Sequence, residues 1–143
     1  MPGREGEQAR ALVQAGQRAA AEECRLIREN TPQTWEFFQL HLRRYILYKF
    51  LLTETEGATD ALRTLARQSV AKAMGLSREL AFLQDTSAGC SNASSVDTKL
   101  ALLLMAIQRD FQVQLPLPEA VWAETVEELA EMVWRAMKKQ DKK

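Results

Sequence analysis

The sequence predicts an all-α protein, and three observations carry that prediction. Apolar residues recur at helical steps along most of the chain, and strict strand-like alternation is found nowhere. Between the periodic stretches the punctuation comes from proline and glycine, and no internal repeat appears. The sharpest pattern lies in Ser94 to Phe111, where Val96, Leu100, Leu103, Leu104, Ile107 and Phe111 fall on one helical face. Leu102, Met105 and Ala106 cover much of the remainder. A helix apolar nearly all round is expected to be buried, with the other helices packed around it.

Taken in order, Glu5 to Glu29 is rich in Ala, Gln, Glu and Arg, all good helix formers. Its apolar positions (Ala9, Leu12, Val13, Gly16, Ala20, Ile27) keep helical spacing but are mostly small, which predicts close packing and modest buried area. Asn30-Thr31-Pro32 ends it, because proline restricts the residue before it. Thr31 or Thr34 is expected to cap the next helix, Trp35 to about Leu52. Trp35, Phe38, Leu42, Tyr45 and Ile46 form one apolar stripe there, and Phe37, Leu40, Leu47 and Leu51 another. His41, Arg43, Arg44 and Lys49 form a basic strip, read as solvated. Rings at helical spacing favour a core role over a nucleic-acid surface. His41 is the only histidine, with no cysteine or acid paired to it in the sequence, so a core or surface role is expected over catalysis or metal binding.

Thr53 to Gly57 closes that helix, and Thr59 or Asp60 can cap a third. The third is expected to run to Met74 and stop at Gly75 as a C-cap glycine. A long connection from Leu76 to Ala93 follows, pinned by Leu80, Phe82 and Leu83. After Phe111, Pro116 and Pro118 forbid a helix, Glu119 to Trp122 forms one turn, and Thr125 with Glu128 makes a capping box for the last helix. Val126, Leu129, Met132, Val133 and Met137 are its inner face. Residues 1–4 and the tail 139–143 are expected to fray.

The bulk properties exclude several classes. The 143 residues suit one domain or a small domain with an extension. Nineteen basic and nineteen acidic residues balance, leaving no overall field for nucleic acid or an anionic membrane. No apolar run approaches the roughly 18 residues that span a bilayer, and the N-terminus lacks the apolar core of a secretory signal. Cys24 and Cys90 show no metal or redox spacing, so free thiols in a reducing cytoplasm are expected. No glycine-rich phosphate loop or paired Cys and His sites are present, and the chain is not expected to be an enzyme.

The half from about Ala58 to Lys138 resembles an acyl carrier protein domain. Met74-Gly75-Leu76 is similar to the close of that family's first helix, and the connection to Ala93 is similar to its long loop. Ser95-Val96-Asp97-Thr98 resembles the Ser-Leu-Asp-Thr opening of the second helix. Phe111 to Pro116 resembles its Phe-x-x-x-[Ile/Leu]-Pro ending, and Thr125 to Ala130 the start of the last helix. The resemblance implies an acyl carrier-like four-helix bundle over residues 57–138, with residues 1–56 as an N-terminal helical pair packed on it.

By the same resemblance, Ser95 is the attachment site of a phosphopantetheine arm. A phosphopantetheinyl transferase loads the arm, and biosynthetic or modifying enzymes work on its thioester cargo, with the carrier a monomer or homodimer. The family's Gly-x-Asp before the serine is absent, since Asn92-Ala93-Ser94 stands there. Counted from Gly75, Ser95 falls at the family's serine; counted back from Phe111, Asp97 does. Ser91 is a third candidate, and helix capping by Ser94 and Ser95 is the plain alternative. A pantetheine-free interaction module of the same fold is therefore the rival reading. The aromatic-rich N-terminal helices are the expected cover for the second helix, which is poor in carboxylates.

Overall fold

A computed structural model describes the backbone of residues 2–30, 33–84 and 92–141, and the side chains of 7, 10–30, 33–73 and 96–139. Six helices follow one another: α1 Pro2–Glu29, α2 Trp35–Lys49, α3 Leu62–Gln84, α4 Asn92–Phe111, α5 Leu117–Ala120 and α6 Val126–Asp141. No strand is present among the described residues. The protein is all-α. α1 packs chiefly along α2 and also touches α3 and α4, while α3 lies on α4 and α2 on α6.

One cluster of buried side chains draws on every helix. It runs from Ala20 and Ile27 of α1 through Phe38, Leu42, Tyr45 and Ile46 of α2 to Leu65 of α3, Leu103 and Ile107 of α4, Ala120 of α5 and Leu129 and Val133 of α6. The stripe expected on α2 is the buried one, with Trp35 half-buried at its edge. Trp35 meets Trp134 edge-on at 5.6 Å, and Phe38 meets the same indole at 5.1 Å. Such tilted and T-shaped aromatic contacts tie α2 to α6 with more than area burial. The small residues of α1 act as expected: a Cβ on Gly16 would lie 3.0 Å from the Tyr48 carbonyl oxygen and closer still to the end of the Leu51 side chain, so α1 crosses α2 tightly at this glycine.

Several helix ends follow their local chemistry. The Thr34 hydroxyl accepts from the Phe37 N–H at 3.3 Å and caps α2. The Thr125 hydroxyl accepts from the Glu128 N–H at 3.0 Å, while the Glu128 carboxylate reaches the Glu124 N–H, one residue short of a standard capping box. The starts of α3 and α6 also serve each other. The Leu62 N–H donates to Glu124 O at 2.9 Å and the Val126 N–H to Asp60 O at 2.8 Å. This short antiparallel bridge between Ala61 and Thr125 satisfies two of the orphan donors that every helix start carries.

Four expectations are corrected. α3 does not stop at Gly75 but continues to Gln84. A mid-helix glycine costs only about 1 kcal/mol relative to alanine, and the residues after it, Leu76 to Gln84, include enough good helix formers to carry the helix on. The rest of the expected connection, residues 85–91 with Cys90 and Ser91 among them, lies outside the described residues. Second, α4 is not buried all round: Leu102 and Met105 are 55% and 60% exposed. Its neighbours cover only the face centred on Leu103, Leu104 and Ile107. Third, α1 starts at Pro2 and α6 runs to Asp141, so helix extends into both expected frayed ends. Fourth, the basic strip of α2 is not simply solvated. Arg43 donates to Asp60 and to the Gly57 and Thr59 carbonyls, Arg44 bonds Glu54, and Lys49 approaches Asp110 at 3.6 Å.

Candidate functional site

Ser95 lies in the first turn of α4, three residues after Asn92. Its side chain, like those of Asn92 and Ser94, falls outside the described residues, so capping by either serine falls there too. Asp97, the other residue that an alignment puts at the attachment position, is exposed and bonds Arg63 of α3 at 3.1 Å. Lys99 stands one turn beyond Ser95 on the same side of the helix. Burial lowers the pKa of its ammonium. The first turn of a helix offers unpaired N–H groups and the positive end of the helix dipole, and both favour a phosphate. Lys99 is the nearest cation to Ser95 along this helix.

A second polar centre joins α1 to α2. Glu23 of α1 places its carboxylate 2.5 Å from His41 Nδ1 of α2, with the side chains only 9% and 12% exposed. The Phe37 ring lies against the imidazole at 4.1 Å. His41 thus has an acidic partner, contrary to the expectation that it has none. The signal was present in α1: Glu23 sits between Ala20 and Ile27 on the inward face, and a carboxylate there needs a partner. The pair bridges two helices. No nucleophile lies against it among the contacts described, and it reads as a satisfied interhelical contact.

A third cluster surrounds Asp110 near the end of α4. The Tyr45 hydroxyl donates to its carboxylate at 2.6 Å, Arg109 Nε donates at 3.0 Å, and the Cys24 thiol donates to its backbone carbonyl at 3.2 Å. Burial pushes the Asp110 carboxyl up, but the hydrogen bonds from Arg109 and Tyr45 and the charge of Lys49 outweigh it and hold it below the usual range. Burial, followed by the Asp110 charge, raises the Cys24 thiol, so this cysteine is a poor nucleophile. Beside it a cleft of about 440 Å³ is lined by Ala21, Cys24, Arg25, Arg28 and Glu29. Arg25 is already held there by Glu22 and Glu29.

Among the described residues no group of His, Cys, Asp and Glu could hold a metal ion. No described helix is long and apolar enough to cross a membrane. Compared with family models, curated proteins and solved structures, the chain matches none.

Proposed function

We propose that the chain is an acyl carrier-like protein, with α3 to α6 as the carrier's four helices and α1 and α2 as an added pair. In this reading Ser95 carries a phosphopantetheine arm that tethers an acyl or aminoacyl intermediate for partner biosynthetic enzymes. The observation that carries it is the position of Ser95 in the first turn of α4, where helix N–H groups and the dipole favour a phosphodiester. Support also comes from the order of elements: a one-turn α5 behind Pro116 and an α6 opened by Thr125 follow α4, as the resemblance leads one to expect. The group supplies a thiol on a long flexible arm, which holds cargo as a thioester. The chain itself anchors the arm and presents it, and the chemistry on the cargo belongs to its partners.

A second reading is a pantetheine-free interaction module of the same fold. It is favoured by the helical course of residues 76–84 where the carrier family has loop, and by a start of α4 upstream of Ser95. Incubation with a phosphopantetheinyl transferase and coenzyme A, followed by intact mass, separates the two. The expected result is a gain of one phosphopantetheine in the parent chain and none in Ser95→Ala. No gain with several transferases selects the second reading, and an unchanged gain in Ser95→Ala removes Ser95 from the argument.

A further inference from the structure

We draw no further inference here: the strongest candidate, the cleft on α1 beside the Asp110 junction lined by Cys24, Arg25, Arg28 and Glu29, carries nothing, because Arg25 is already held by Glu22 and Glu29 and nothing in the structure shows what would occupy the cleft.

Discussion

Asp110 joins three helices through one residue. Its carboxylate takes the Tyr45 hydroxyl of α2, its carbonyl takes the Cys24 thiol of α1, and its backbone belongs to α4. The folded state holds this carboxyl below its unfolded value of about 3.9. A depressed carboxylate contributes stability that is present above the unfolded value and lost as pH falls through the folded one. Asp110→Asn should therefore cost roughly 2 kcal/mol at neutral pH, the scale of hydrogen bonds to a charged group. It should also flatten the loss of stability below about pH 4, which urea titrations at several pH values would read. An equal acid dependence in parent and variant would show that Asp110 is not the group responsible. The sequence shows Asp110 only as a charge near the end of an apolar helix. Its partners come from positions far away in the chain.

Helix ends divide into two kinds. Those made by side chains, at Thr34 and Thr125, are legible because the donor and acceptor lie three residues apart. Those made by backbone geometry are not. α2 and α4 both end with a non-glycine residue in the left-handed region, Leu51 at φ 58° and Gln112 at φ 55°. The Leu52 N–H then bonds Leu47 O at 2.9 Å and the Val113 N–H bonds Gln108 O at 3.2 Å, a Schellman closure in each case. No glycine marks either place, whereas Gly75, which does look like a terminator, sits inside α3. Gln112 is exposed, so Gln112→Gly should remove the left-handed strain without losing packing and stabilise the fold by about 1 kcal/mol. Thermal unfolding checks this. A lower melting temperature would mean that the Gln112 side chain contributes more than its backbone costs.

The core does not divide at residue 56. Ile27, Leu42, Tyr45 and Ile46 are buried in the same cluster as Leu103, Ile107, Leu129 and Val133, and Tyr45 meets Phe111 edge-on at 5.2 Å. Removing residues 1–56 would strip this shared cluster of all that α1 and α2 supply. The remaining 57–143 piece should then lose cooperative unfolding and bind a hydrophobic dye. A well-dispersed NMR spectrum from that piece would contradict this. α1 and α2 also leave the outer face of α4 bare, although that helix was expected to be covered on all sides.

Periodicity and side-chain caps made the all-α class, the inner faces of α2, α4 and α6 and the starts of α2 and α6 readable from residues alone. All of these depend on spacings within one or two turns, and a linear sequence preserves such spacings. The pairing of Glu23 with His41, the Asp110 junction, the bridge between Ala61 and Thr125 and the bareness of Leu102 and Met105 were decided by packing. Each depends on which distant segment lies opposite, and a helical stripe specifies that a face is apolar without specifying its cover. Ser95 stands between the two cases: its place in the first turn of α4 follows from local pattern, while its chemistry depends on the partners that reach it.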